Sequence, residues 1–276
     1  MPTPPVVLTI AGFDPSSGAG VTADIKTIAA HGCYGVACIT ALTVQSTAGV
    51  WRIDPVSPKL VTETLEELAQ DVEIASVHVG MLGSKAVVEA VSSFLATQKL
   101  PNIVVDPVIR SSSGAELLSE AGIRGLVKNL LPLATVVTPN IDEAALLTGL
   151  NVSNLDQMRE AATKFHELNA SGVVITGGHL EEAVDLLSLA GNEEVFRAPK
   201  QKSKSTHGTG CAFATSIACH LALGKDLTES VRLAKSYVTA AIRNAFPLGR
   251  GTGPVNHLYG MATFETTIPD VGKEKK

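Results

Sequence analysis

The chain reads as a single α/β domain, with a mostly parallel central sheet and helices on both faces. Three observations predict this. Short apolar runs suited to buried strands alternate with helical patterns at least five times along the chain. No linker-like stretch, fixed-period repeat or low-complexity segment interrupts the 276 residues. Nearly every polar cluster follows a strand directly, which is where open parallel sheets bind ligands.

Composition agrees. Hydrophobic residues make up 45% and charged residues 18%, as in a globular protein with a large core. The net charge of −5 and the lack of a basic stripe argue against a nucleic-acid partner. No apolar run approaches the roughly 18 residues of a membrane span. Cys33, Cys38, Cys211 and Cys219 form no CxxC pair and no zinc-ligand spacing, which suits reduced thiols in a cytoplasmic protein. Residues 1–5 lack the parts of a signal peptide. We expect one domain over 1–276, with 1–5 and 270–276 as flexible tails.

The elements follow in order. Val6–Ala11 is a strand stopped by Gly12. A loop from Phe13 to Gly20 leads into a helix over Val21–Ala30. That loop is neither the dinucleotide fingerprint nor a Walker A loop. Asp24 falls in the first turn, where the helix dipole favours a carboxylate. A second strand, Tyr34–Val44, places Gln45 just past its carboxyl end. Its donor and acceptor suit the edge of a heterocycle. Trp51–Pro58 is a connection and Pro58–Gln70 a helix. The strand Ile74–Val79 ends at Gly80-Met81-Leu82-Gly83, where Met81 either lines a pocket or fills core. Ser84 caps a helix through Thr97. After the strand Ile103–Val105, Asp106 is a carboxylate placed for Mg²⁺ or a phosphate-linked water network. Arg110–Gly114 is a polar turn able to reach phosphates.

Ala115–Leu131 reads as a helix with a break near Gly122, and Ala134–Val137 as a strand. Asn140 caps the helix that holds Asp142 and Glu143. Leu155–Asn169 is helical. The strand Gly172–Ile175 closes at Thr176-Gly177-Gly178-His179. Val184–Leu189 and Glu194–Arg197 flank a tight turn as a hairpin. Thr206-His207-Gly208-Thr209-Gly210-Cys211-Ala212 then opens a helix running to Leu223, and Asp226–Ala245 is the last helix. The amides that open a helix lack intrahelical partners and carry the positive end of its dipole, which makes them an anion site. Cys211 in the first turn is expected to have a lowered pKa. An anion cradle beside a base is what phosphoryl transfer to a hydroxyl requires. A glycine-capped helix with a buried cysteine would read the same way.

These motifs resemble the ribokinase-like superfamily, and within it the hydroxymethylpyrimidine/phosphomethylpyrimidine kinases. The similarity runs along nearly the whole chain, through Thr9–Gly20, Ala23–Lys26, Thr40–Gln45, Gly80–Leu82, Asp106–Val108, Thr138–Asn140 with Glu143, Gly177–His179 and Thr206–Cys211. Sugar kinases of the superfamily carry Asp where this chain has Cys211. The resemblance implies ATP-dependent, Mg²⁺-assisted phosphorylation of an aminopyrimidine alcohol and then of its phosphate, by a homodimer in the cytoplasm. It implies that Asp24 and Gln45 bind the pyrimidine edge, within a pocket shaped by Gly12, Ala19, Met81 and Val108. Asp106 and Glu143 would organise Mg²⁺ and its waters, and Asn140, Thr176 and Gly178 would meet the nucleotide. Gly208, Thr209 and Gly210 would cradle the transferred group, and Cys211 would take the hydroxyl proton. Two lysines usual in the family are missing, one in the Arg110–Gly114 turn and one at Thr176. Arg110, Lys202 or Lys204 are the substitutes the sequence offers. Pyridoxal kinase, and a non-catalytic pyrimidine sensor, are the alternative readings.

Overall fold

The structure, a computed structural model, describes residues 3–178, 183–189 and 191–261. Its strands are β1 (Val6–Phe13), β2 (Tyr34–Ser46), β3 (Gly49–Pro55), β4 (Ile74–Val79), β5 (Ile103–Val105), β6 (Val136–Val137), β7 (Gly172–Gly177), β8 (Ala183–Leu189) and β9 (Asn192–Ala198). They form one nine-stranded sheet in the order β3-β2-β1-β4-β5-β6-β7-β8-β9. Strands β2, β1, β4, β5, β6 and β7 are parallel to one another, and the three remaining strands are antiparallel additions at the two edges.

The helices are α1 (Gly20–Ala30), α2 (Pro58–Asp71), α3 (Lys85–Gln98), α4 (Glu120–Gly125), α5 (Ile141–Thr148), α6 (Leu155–Glu167), α7 (Thr209–Ala222) and α8 (Leu227–Arg243). Alternate residues of the central strands point to opposite faces, so each face needs its own cover. Leu8, Ile10, Val77, Val105 and Ile175 pack under α2 to α6. Val7, Val104, Val136 and Val174 pack under α1, α7 and α8. No helix of the described residues is long and apolar enough to cross a membrane.

Several boundaries differ from the sequence reading. Residues 49–55 are not a connection: they pair antiparallel with residues 41–46 as β3. This ribbon overhangs the sheet, because β1 pairs with β2 only as far as Leu42. Residues 115–119 are not helical. Leu117 and Leu118 are buried for packing, while Arg110 and Glu116 form an isolated bridge that closes a loop. Ser119 then caps α4 by accepting from the Gly122 amide at 3.4 Å. A π-helical turn, Leu126–Leu130, continues α4. The strand foreseen over 134–137 is only Val136–Val137. Thr176 and Gly177 belong to β7 rather than to the turn beyond it. His179 and the tail 270–276 lie outside the described residues.

Candidate active site

Strand order distributes the predicted residues along one edge of the sheet. Gln45 stands at the end of β2, Gly12 in β1, Met81 after β4, Asp106 and Val108 after β5, Asn140 after β6 and Thr176 in β7. The chain moves outward from β1 to β2 and then crosses to β4 on β1's other side. That reversal makes the topological switch point at which such sheets bind ligands.

Helix α7 aims its N-terminus at this point. Three contacts fix its direction along β4. Ser76 Oγ donates to Ala218 O at 2.8 Å, and His78 Nδ1 lies 3.3 Å from Thr215 Oγ1. At its start, Cys211 faces the Asp106 carboxylate just beyond β5 and interacts with it electrostatically. The helix therefore starts at the strands' carboxyl ends. Its N-cap Gly208 has φ +80°, and a Cβ there would collide with the Gly18 carbonyl. The Thr209 amide meets Thr206 O, and the Ala212 amide meets Gly208 O. Among the described residues, the Gly210 and Cys211 amides between them meet no protein acceptor, as an anion cradle requires.

Cys211 is half-buried at this terminus. Its expected low pKa does not hold. Burial, then the carboxylates of Asp106 and Asp24, push the thiol well above its usual value, although the Gly20 amide pulls the other way. The helix dipole is outweighed because burial strips the thiolate of water and three carboxylates converge on the same sulfur. Burial likewise raises Asp106 to about 6, and Glu143, which also faces Asp106, to about 8. Glu143 closes the capping box of α5: its Oε2 accepts from the Asn140 amide at 3.0 Å, while Asn140 Oδ1 accepts from the Asp142 and Glu143 amides at 2.9 Å each.

Asp24 requires a second correction. It lies in the second turn of α1 and has no exposed surface. Thr9 Oγ1 donates to Oδ2 at 2.7 Å and Thr215 Oγ1 to Oδ1 at 2.9 Å. His78 Nδ1 is 3.3 Å from Oδ2. With these partners the carboxylate sits behind the site and cannot meet the edge of a ligand. Burial would lower the His78 pKa, but Asp24 reverses the shift and raises it.

The other acceptor-side residues do come together. A Cβ at Gly12 would sit 2.9 Å from Met81 Sδ. Met81 is buried with Ala41 and Leu117, and Val108 packs beside them. Gln45 is half-buried, with Oε1 3.1 Å from Thr43 Oγ1. It opens onto a cleft of about 120 Å³ whose lining includes Thr47, Ser112, His207 and Thr252. A larger groove of about 500 Å³ lies between α2 and α3 and contains none of the predicted residues.

On the nucleotide side, Thr176 donates its amide to Pro139 O at 2.9 Å, which seats Asn140 beside it. Gly178 is exposed at the end of β7. Here the structure adds a pair that the sequence reading missed. Lys235 of α8 meets Asp185 of β8 at 2.7 Å, both nearly buried, and Asp185 Oδ1 accepts from the Gly177 amide. No local motif signals it, because the partners are 50 residues apart. Lys202 and Lys204, the substitutes suggested by the sequence, are exposed, as is Arg110. The pair of Asp14 and His207, 2.8 Å apart, was missed for the same reason.

Comparison with known proteins agrees with this geometry. The family model for phosphomethylpyrimidine kinase matches residues 14–256. The thiamine biosynthesis bifunctional protein ThiED of Geobacter sulfurreducens is 46% identical over 254 residues, 91% of this chain. The chain spans about half the length of that relative, 52%. The hydroxymethylpyrimidine/phosphomethylpyrimidine kinase of Streptomyces coelicolor is 43% identical over 94% of this chain and 96% of its own. Among solved structures, an ADP complex of Bacillus subtilis pyridoxal kinase aligns with a TM-score of 0.87 at 34% identity, covering 92% of this chain and 98% of that one. A phosphomethylpyrimidine kinase from Clostridium difficile aligns with a TM-score of 0.78 at 37% identity, covering 86% and 99%.

Proposed function

The chain belongs to the phosphomethylpyrimidine kinase family, and from that premise we propose that it phosphorylates hydroxymethylpyrimidine with ATP and then phosphorylates the monophosphate to the diphosphate, in thiamine biosynthesis. One observation carries the reading most directly. The two open amides of α7 and the Cys211 thiol stand at the switch point, between an acceptor side at Gln45 and a nucleotide side at Asn140 and Thr176.

The acceptor lies in the pocket formed by Gly12, Ala19, Met81 and Val108, with its edge against Gln45. ATP lies along Asn140, Thr176 and Gly178. Lys235, buried under that turn, supplies the cation that Thr176 does not. The Gly208–Gly210 loop wraps the migrating phosphoryl oxygens, which accept from the open Gly210 and Cys211 amides, the Thr209 amide being taken by Thr206 O. In the first transfer the acceptor oxygen bonds to the γ-phosphorus as the bond from that phosphorus to ADP breaks and ADP leaves, and the hydroxyl proton passes to Cys211 in its thiolate form. In the second transfer the acceptor is already a phosphate and needs no base.

Asp106 and Glu143 suit Mg²⁺. Both are nearly buried, burial raises both pKa values and Asp106 adds to the rise at Glu143, so a hard cation would relieve the crowding. No group of three metal-ligating side chains occurs among the described residues. Phosphates and water would complete the shell of a cation held by the two carboxylates. When bound, Mg²⁺ would neutralise charge on the transferring phosphates.

We also propose that the protein is a cytoplasmic homodimer. Its four unpaired cysteines support the compartment, and the exposed apolar ribbon of β2 and β3 supports the dimer.

Pyridoxal is the second acceptor considered, because pyridoxal kinases of Bacillus subtilis and Staphylococcus aureus share this fold at 31–34% identity. ADP release with hydroxymethylpyrimidine, its monophosphate and pyridoxal, with Mg²⁺ present or chelated, tests the reading. Turnover of both pyrimidines that stops on chelation is expected. A preference for pyridoxal would replace the assignment, and no turnover with any acceptor would leave the sensor reading.

A further inference from the structure

His207 precedes the phosphoryl cradle and has no part in the mechanism above, yet three loops meet on its ring. Its backbone is fixed independently of the ring. The His207 amide donates to Gly253 O at 3.0 Å, and the Val255 amide donates to His207 O at 3.2 Å. The ring is therefore a rigid post.

Nε2 lies 2.8 Å from Asp14 Oδ2. That carboxylate organises the turn after β1. Oδ1 accepts from the Ser16 amide at 2.8 Å and the Ser16 hydroxyl at 2.7 Å, and Oδ2 accepts from the Ala19 amide at 3.0 Å and the Gly18 amide at 3.3 Å. Gly18 is packed against the ring so closely that a Cβ would collide with it. The carboxylate fixes a proton on Nε2, so in the neutral ring Nδ1 is an acceptor. Ser112 Oγ stands 3.3 Å from Nδ1 and donates to it in that tautomer. Ser112 is the exposed tip of the loop closed by Arg110 and Glu116. Gln45 Nε2 lies 3.4 Å from the same Nε2, which already donates to Asp14 and cannot accept. The Gln45 amide is thus left to face the cleft.

We propose that His207 is a positioning residue for the acceptor. Through Asp14 it sets the Ser16–Ala19 turn against the acceptor pocket, and through Nδ1 it seats the Ser111–Ser113 loop as a roof beside Gln45. This rests on the kinase reading for its effect on turnover, and on geometry alone for its effect on the two loops.

The experiment has two arms on the full chain. In the first, steady-state kinetics are measured for His207→Ala, His207→Asn and His207→Gln. A glutamine amide reaches the Nε2 position, whereas an asparagine amide reaches only the Nδ1 position. Loss of a hydrogen bond to a charged group is worth about one to two powers of ten. His207→Ala and His207→Asn should therefore raise the acceptor KM about tenfold or more, with the ATP KM changed less than about twofold. His207→Gln should restore the acceptor KM. In the second arm, amide hydrogen exchange is followed in the free protein. His207→Ala should speed exchange at residues 16–19, and Ser112→Ala only around 111–115. Equal rises in both KM values, a glutamine variant as impaired as alanine, or unchanged exchange at 16–19 would each overturn the proposal. If the wild-type chain turned over no acceptor, the kinase reading would fail while the exchange arm still decided the role of His207.

Discussion

A thiol in the first turn of a helix ordinarily loses its proton easily; Cys211 does not, because burial raises its pKa and Asp106, Asp24 and Glu143 add to the rise from other elements. Sequence reading placed Cys211 correctly at the terminus but had no means of seeing those neighbours, which come from distant parts of the chain. A base with a high pKa is strong but scarce at neutral pH. Alkylation of Cys211 by iodoacetamide should therefore be slow at pH 7 and still be rising above pH 9; a rate already at its plateau at pH 7 would show a thiolate. Cys211→Ala should slow the first phosphorylation by about a hundredfold or more, the usual range for a positioned base. The second phosphorylation should be affected far less, and equal losses in both steps would remove the base role. Glu143 gives a stability prediction. Its carboxyl titrates near 4.5 when unfolded and near 8 when folded. A raised folded pKa means that the native state holds the proton more tightly. The stabilisation is complete below pH 4.5 and is lost as pH rises through 8. Glu143→Gln keeps an acceptor for the Asn140 amide and removes the titration. Melting temperatures from pH 5 to 9 should fall less for this variant than for wild type. Parallel curves would mean that Glu143 is not held protonated.

At the scale of elements, local chemistry was legible where a single side chain decides a boundary. Ser84 caps α3 as its position suggests, with the Val87 amide donating to it, whereas Asp226, read as the first residue of the last helix, is instead the cap of α8 and accepts from the Glu229 amide. The box at α5 was legible too, as Asn140 followed by Glu143. What misled was apolar spacing without a cap. Residues 115–118 read as helical, yet they form an irregular loop in which Leu117 and Leu118 are buried, Leu117 against Met81 and Ala41. β3 was missed because Trp51, Arg52 and Asp54 are all exposed on an edge strand and show no alternation. The box separates capping from ligand binding. Asn140→Ala should cost about 1 kcal/mol by loss of the cap. Asn140→Asp keeps the cap acceptor but adds a negative charge where phosphates are expected. Its melting temperature should stay near wild type while the ATP KM rises; an unchanged ATP KM would take Asn140 out of the nucleotide site.

At the scale of the whole molecule, sheet order turns the sequence's separate clusters into a single row, with the proposed acceptor side at β2 and β1 and the proposed nucleotide side at β7. Alternating strands and helices made the parallel sheet readable, whereas the order of its strands depends on long-range pairing that no local stretch records. The overhanging ribbon is the part of this architecture still short of a partner. Leu42 and Val44 are 51% and 50% exposed on one side of β2, opposite Asp54 and Arg52 of β3. Trp51 is 64% exposed. Large side chains concentrated on one overhang mark an interaction surface. A second copy would cover it by a two-fold contact in which the same ribbon meets itself. Light scattering should then give twice the 28.7 kDa chain mass. Replacing Leu42 and Val44 together by lysine should return it to one chain mass, because like charges would face one another across the axis. Both side chains point away from the cleft, so melting temperature should hold in the double variant. A wild-type mass of one chain, or a dimer that survives the double substitution, would place the contact elsewhere or remove it.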